Sequence, residues 1–326
     1  MKKKIKLKIM KFLLLEFIFC CVSTPIIAFH GPFNNVKTTL VGMSMTTMTH
    51  QWIAKMFLSD KQIQDILSEN CIETISQSKE GLNNIHINSD DENNIKLSVL
   101  ENSRFKAYLM EISNPKKVRV GYAKKLGKVG EPTSEIAKDF NAIAAINGGS
   151  FTDETSNGTK YSGTGAFPEG VIMSHGKVIW KTVSTNTKID IIAFNNEGKL
   201  ILGKYTINEL RKLNCIEALC YKPSLIVDGK KAKIKGDGGA GMAPRTAIGQ
   251  KKDGTILFLV ADGTMFKRDG LRMDELQDIL YEKGAYNATN LDGGSSATMY
   301  YDGEVINNPC DSVGERPIPS IFYVEP

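Results

Sequence analysis

The stretch Ala288-Thr289-Asn290-Leu291-Asp292-Gly293-Gly294-Ser295-Ser296-Ala297-Thr298-Met299 sets a carboxylate, two glycines and two hydroxyls between apolar flanks. Its centre is too polar for a packed core, and its flanks are too apolar for a solvated linker. Glycine lets the backbone approach another group closely or take positive φ. The neighbouring Asp and Ser residues present charge and hydrogen bonds at that point. Two similar polar knots precede it, Asn147-Gly148-Gly149-Ser150-Phe151 and Pro244-Arg245-Thr246-Ala247-Ile248-Gly249. Three such knots point to one assembled site.

The knots fall just past apolar runs. Residues 142–146 and 255–260 are continuously apolar, the pattern of buried strands. Asn147 and Asp262 follow them, where a rigid strand aims the residue at its end. Residues 189–194 and 199–202 flank Asn195-Asn196-Glu197-Gly198, a hairpin signal. Asp302-Gly303 at the centre of 299–306 is another. Leu271, Leu276, Ile279 and Leu280 trace one helix, stopped by Gly284. Many strands and few helices predict an α+β fold, a mixed or antiparallel sheet core with a few packed helices.

The formal charge of +5 is concentrated at the start of the chain. Residues 1–16 hold Lys2, Lys3, Lys4, Lys6, Lys8 and Lys11 against the single acid Glu16; removing them from 41 basic and 36 acidic residues leaves 35 of each. A body without net charge exerts no bulk field on a polyanion, which argues against nucleic acid as a partner. The basic start and the apolar run 12–29 read as a secretory signal or an uncleaved anchor. That length is marginal for a span and Glu16 weakens it, but no Ala-x-Ala cleavage site is evident, which favours retention. Either way the body is expected outside the cytoplasm, on a single-pass anchor in the cell membrane or secreted.

The domain organisation expected is therefore 1–30 as signal or anchor, 31–95 as stalk, helix and linker, and 96–326 as the main domain. Residues 30–48 are polar and rich in Thr and Met, suited to a stalk. Residues 50–70 read as helix, with a Ser59/Gln62 capping box and Ile63, Ile66 and Leu67 at helical spacing. His50 and Trp52 then belong to an amphipathic helix packed on the body or the membrane surface. Residues 76–94 read as linker. Cys20 and Cys21 lie in the apolar run, leaving Cys71, Cys215, Cys220 and Cys310. The Cys215-x4-Cys220 spacing suits a small disulfide in an oxidising compartment without proving one. No Cys-x-x-Cys or His-Glu-x-x-His pattern supports a zinc site.

Five segments, Asn147-Gly148-Gly149, Pro244-Arg245-Thr246-Ala247-Ile248-Gly249, Ala261-Asp262-Gly263, Asn290-Leu291-Asp292-Gly293-Gly294-Ser295-Ser296 and Gly314-Glu315-Arg316, occur in the order in which the phosphodiester glycosidases carry them. Residues 96–326 resemble that family. The resemblance implies a hydrolase that cuts the C1–O bond of a sugar-1-phosphodiester. With placement outside the cytoplasm it implies a phosphate-containing glycan as partner, a surface exopolysaccharide or teichoic-acid-like polymer. The chain departs from the family at Ser150, where a bulky aromatic is common, and Thr264-Met265-Phe266-Lys267-Arg268 looks variable.

Serine-type catalysis requires a histidine base. His30, His50, His86 and His175 all lie outside these motifs, and His175 reads as a hairpin turn. Glycosidic cleavage commonly uses two carboxyl groups, and Asp262, Asp292 and Glu315 are the catalytic candidates. A phosphomonoester leaves more readily than a sugar alkoxide, so the demand shifts to cations that neutralise the departing charge. A guanidinium meets it with two N–H groups. Arg245 and Arg316 are expected to hold the phosphate, each also readable as one half of a structural ion pair. Asn147, Gly148, Gly149, Thr246, Asn290, Gly293, Gly294, Ser295 and Ser296 are expected to face the substrate. The glycine-rich segment 236–241 is expected to cover the site. Asp262-Gly263 is also readable as a plain strand-end turn. No motif demands a cofactor; a divalent cation at the Asp-rich loops stays open, without EF-hand spacing. Two other readings remain: a phosphodiesterase cutting P–O, and a non-catalytic module binding anionic glycan.

Overall fold

The apolar run expected as a buried strand is strand Ile256–Asp262, buried along its whole length. A computed structural model describes residues 2–46, 50–87, 94–152, 163–239, 241–263, 270–311 and 314–326. The strand lies between Lys106–Ile112 and Arg245–Lys251 in a seven-stranded antiparallel sheet. Its side chains alternate between two cores. Ile256, Phe258 and Val260 face a core shared by the whole body, while Leu257, Leu259 and Ala261 pack under helix Met273–Glu282. Burial on both faces explains why the run is continuously apolar although its neighbours are antiparallel.

Two five-stranded sheets repeat this arrangement. In one, Ile192 and Phe194 enter the shared core while Ile191 and Ala193 pack under helix Ile207–Lys212. In the other, Ile146 and Phe322 enter the shared core while Ala145, Ile321 and Tyr323 pack under helix Thr133–Asp139. Phe194 and Phe322 meet edge to face, 6.0 Å apart. The result is an α+β body with three sheets around one core, each backed by a helix. Both predicted hairpins form, Ile189–Asn195 with Leu200–Tyr205 and Met299–Tyr301 with Glu304–Val305. His175 does occupy a turn, in the left-handed region at φ 51.

Cys215 and Cys220 do not pair. Cys215 opens strand Cys215–Leu219 and Cys220 follows its end. Five residues of extended chain span roughly 16 Å, far beyond the reach of a disulfide. Both thiols are buried, which pushes each up to about 12.

The N-terminal region is helical. Helices α1 (Lys2–His30), α2 (Asn34–Thr46), α3 (Gln51–Phe57) and α4 (Asp60–Glu69) follow one another. Within α1, residues Lys6–His30 are long and apolar enough to cross a membrane, and almost none of that stretch is buried. Residues 34–46, read as a polar stalk, form α2 and bury Val41 and Ser44. The Ser59 capping box is present and divides the expected helix, because Ser59 starts α4 after Leu58 turns extended. The described part of the segment read as a linker, 76–87, lies along the body. Gln77 bonds the Leu200 carbonyl and the Leu202 N–H, Ser78 donates its N–H to Asp228, and Ile85 is 2% exposed.

Candidate active site

The polar knots do meet, because three strand ends converge. Strand Ala144–Asn147 ends at Asn147, strand Arg245–Lys251 begins at Arg245, and strand Ala285–Asn290 ends at Asn290. Ala247 is paired with Asn290, and the Leu291 N–H donates to the Thr246 carbonyl at 2.8 Å. Beyond the ends opens a cleft of about 740 Å³, lined by Arg245, Asn290, Asp292, Gly293, Gly294, Ser295 and Arg316. Tyr221, Lys222 and Lys204 line it too, with Asp190.

Asp292 is the carboxylate of this cleft at the strand ends, with Asp190 also on its wall. The Tyr221 hydroxyl donates to its Oδ1 at 3.3 Å, and its buried Oδ2 has no hydrogen-bond partner. Asn290 Oδ1 is likewise buried and unpartnered, while Ser296 acts on the Asp292 carboxyl. Buried polar atoms are rarely left unpaired, and Asn290 and Asp292 bring two unmet acceptors to the cleft. Burial raises the Asp292 carboxyl above its ordinary value, against the pull of Ser296, Arg316, Tyr221 and the Gly293 N–H. Burial also holds the Tyr221 phenol well above its usual range, with the Asp292 charge adding to it.

Two guanidinium groups reach the cleft. Arg245 is 6% exposed; its Nε donates to the Leu271 carbonyl at 3.0 Å and its Nη2 to the Gly241 carbonyl at 2.7 Å. Burial pushes it down to about 10, so it stays charged at neutral pH. Arg316 lies 4.9 Å from the centre of the Phe151 ring, and its Nη1 donates to Ser295 Oγ at 3.3 Å. Stacking on an aromatic face holds the fork in place without using its donors.

The other two carboxylates expected to be catalytic are committed elsewhere. Asp262 accepts from Asn307 Nδ2 at 2.8 Å and from the Asn308 N–H at 3.1 Å, so it fixes the 307–308 loop. Glu315 accepts the Ser134 N–H at 2.9 Å and hydroxyl at 2.5 Å at the start of helix Thr133–Asp139. A carboxylate there satisfies otherwise unpaired N–H groups. Neither lines the cleft.

Asn147, Gly148, Gly149 and Thr246, expected to face the substrate, build the site instead. Asn147 is fully buried: its Nδ2 donates to the Asp292 carbonyl at 2.6 Å, while its Oδ1 accepts from Thr246 Oγ1 at 2.7 Å and the Thr298 N–H at 3.2 Å. The Asp292 N–H donates to the Gly148 carbonyl at 3.3 Å, so this knot grips the Asp292 backbone from both sides. A Cβ on Gly148 would stand 2.6 Å from the Ser320 carbonyl oxygen, and one on Gly149 2.5 Å from that of Cys220. Only glycine lets those backbones come so close. Gly293 lies equally close to Pro244, whereas Gly294, at φ +60, faces open space.

The glycine-rich segment is clamped rather than a free cover. Asn70 Oδ1 accepts the Asp237 N–H at 2.8 Å, and a Cβ on Gly236 would stand 1.9 Å from that same oxygen. A Cβ on Gly42 would stand 2.9 Å from the Gly239 carbonyl, and Met43 borders Gly241. Residues of α2 and the end of α4 therefore hold the loop that holds Arg245. His50, Cys71, Ile72, Thr74 and Ile75 complete the cleft wall.

Tyr221 and the 70–75 wall are functional features that sequence reasoning missed. Among the described residues no three His, Cys, Asp or Glu side chains cluster as metal ligands. Asp262 is committed to Asn307 and Asn308, and Arg316 acts on the Asp292 carboxyl. Residues 264–268 lie outside the described residues.

The fold brings Asp292 and two guanidinium groups together in one cleft at the ends of its strands. The model of the family "Phosphodiester glycosidase" matches residues 140–325, more than half of the chain, and the chain belongs to that family of hydrolases. It is 39% identical over 70 residues to N-acetylglucosamine-1-phosphodiester alpha-N-acetylglucosaminidase of Mus musculus. Over 70 residues it is 36% identical to the SPbeta prophage-derived protein YomE of Bacillus subtilis (strain 168). Each matched stretch is 22% of this chain but only 13% of the mouse enzyme and 11% of YomE. Among solved structures, the zebrafish N-acetylglucosamine-1-phosphodiester alpha-N-acetylglucosaminidase catalytic domain, auto-inhibited by its pro-peptide, superposes with a TM-score of 0.58 at 21% identity, covering 78% of this chain and 88% of that one. A protein of Synechocystis superposes with a TM-score of 0.53 at 17% identity, over 71% and 61% of the two chains. These two likenesses concern the fold.

Proposed function

We propose that this chain hydrolyses the C1–O bond of a sugar-1-phosphodiester in a phosphate-containing envelope glycan outside the cytoplasm. The observation that carries the reading is one carboxylate with an unpartnered buried oxygen in the same cleft as two held guanidinium groups. Arg245 and Arg316 grip the phosphate and neutralise the charge that develops as it leaves. A phosphate needs no carboxylic acid to help it depart, so one carboxylate suffices where two are usual. Asp292 activates the attacking water or steadies the positive sugar carbon, with Tyr221 fixing its Oδ1. Asn290, Ser295 and Ser296 offer polar atoms for sugar hydroxyls. A retained α1 places the cleft at the membrane; a cleaved one releases it.

The test is incubation of the full chain with N-acetylglucosamine-1-phosphodiester compounds in isotopically labelled water. Free sugar with the label on its anomeric hydroxyl supports the reading. Label in the phosphate means that P–O is cut, and glycan binding without product means a binding module.

Asn70 acts through the clamp as a positioning residue. Asn70→Ala removes the acceptor of the Asp237 N–H and frees the turn beside Arg245. The expected result is a KM about tenfold higher with kcat nearly unchanged, the effect of losing about 1.4 kcal/mol of binding. Combined with Arg245→Lys, the loss should be less than additive, because both act through one guanidinium. Steady-state kinetics of the two single variants and the double variant check both statements.

A further inference from the structure

Between Phe17 and Ser59 the chain has no acidic residue. Over the same stretch the structure leaves several large apolar side chains about half exposed. Phe33 is 56% exposed, Val36 47%, Met43 48%, Trp52 57% and Met56 64%. Val36 and Met43 stand seven apart on α2, and Trp52 and Met56 four apart on α3, so each pair shares a helix face. Lys37 and Lys55 lie beside them. A soluble surface seldom exposes so many large apolar side chains within one short stretch of chain.

The position of this face is fixed relative to α1. Phe29, at the end of the stretch long enough to cross a membrane, stacks on Phe57 of α3 with ring centroids 4.9 Å apart. Phe29, Val41, Ala54, Leu58 and Ile63 form one buried cluster that ties α1 to α4 together. α3 therefore sits at the level where α1 would leave a bilayer. Trp is the residue best suited to that level, with an apolar ring and a polar N–H. Lysines without acidic neighbours suit anionic headgroups.

We propose that α2 and α3 form an interfacial platform that lies on the outer face of an anionic phospholipid bilayer, with Trp52 and Met56 in the headgroup–acyl boundary. The platform borders the cleft, since His50 lines it and Met43 abuts Gly241, whose carbonyl holds Arg245. It would thus keep the cleft within reach of phosphodiesters displayed at the membrane surface. This contact is independent of the catalytic reading, and its test needs no turnover.

The experiment uses the full chain reconstituted in vesicles of phosphatidylcholine with phosphatidylglycerol. The chain has two Trp residues, so Trp52→Phe isolates the Trp52 contribution to emission from that of Trp180. Expected is strong quenching of the Trp52 component by lipids brominated high on the acyl chain, with little access for aqueous iodide. Val36→Asp with Met56→Asp should restore iodide access. Lys37→Gln with Lys55→Gln should weaken bromolipid quenching by several-fold in anionic vesicles and leave it unchanged in pure phosphatidylcholine. Iodide access without bromolipid quenching would overturn the proposal, because the face is then in water. Protection from both quenchers would also overturn it, because protein then covers the face.

Discussion

Asp292→Asn is expected to lower kcat by about 10³-fold or more while leaving the folded chain at least as stable as the wild type. The kinetic part follows from geometry: the amide keeps an oxygen for the Tyr221 hydroxyl but puts a neutral group where Oδ2 stands unpartnered in the cleft. Losing a positioned base together with its charge reaches about 10³-fold. The stability part follows from the direction of the Asp292 shift. Burial raises this carboxyl in the fold above its unfolded value. The unfolded chain therefore ionises first as pH rises. Stability falls from about the unfolded value near 3.9 upward, and the loss is complete once pH passes the folded value. The wild type bears this loss as pH rises and the Asn variant none of it, so the two stabilities should lie closest in acid. Urea unfolding at about pH 4 and about pH 7, beside kcat at each, checks both parts. A variant that is inactive and less stable at neutral pH would make Asp292 a structural residue. The same shift predicts an activity profile whose acidic limb lies above the ordinary Asp value.

What the sequence made legible was the convergence of strand ends. Apolar runs followed by polar knots located the ends of strands Ala144–Asn147 and Ile256–Asp262, and the knot around Asp292 does line a cleft. It did not show which carboxylate faces the ligand. Asp262 and Glu315 sit in motifs as polar as that of Asp292, but each lies beside a backbone N–H in need of an acceptor, that of Asn308 or Ser134. That neighbour is chosen by the fold, across 46 residues in one case and 181 in the other. Asn147 misled in the same way: an amide at a strand end serves a sugar or a neighbouring loop equally well, and here it holds the Asp292 carbonyl. The clamp on the glycine-rich segment was hidden for a related reason. Asn70 and Asp237 are 167 residues apart, and nothing local to either announces the contact. Short-range signals gave hairpins, caps and strand ends correctly because turn chemistry is settled within a few residues.

Arg245→Lys should lower kcat/KM for phosphodiesters by about 10²-fold, mostly through KM, and weaken inhibition by inorganic phosphate in parallel. The Arg245 fork is anchored by Nε on Leu271 and Nη2 on Gly241, which sets its plane and leaves it at the cleft wall. A lysine ammonium on a flexible stem cannot serve both carbonyls and keep its charge fixed at the cleft wall. Arg316→Lys should also raise KM, because a lysine cannot both stack flat on the Phe151 ring and keep the bond to Ser295 Oγ. Arg245→Met separates charge from packing. It fills most of the same volume and removes a desolvated cation, which offsets the acceptors left unsatisfied at Leu271 and Gly241. Phosphate affinity should disappear in Arg245→Met while the unfolding midpoint moves little. If inhibition by phosphate survives in both variants, Arg245 only supports the glycine-rich loop, and the phosphate grip belongs to Arg316 with Lys222 and Lys204.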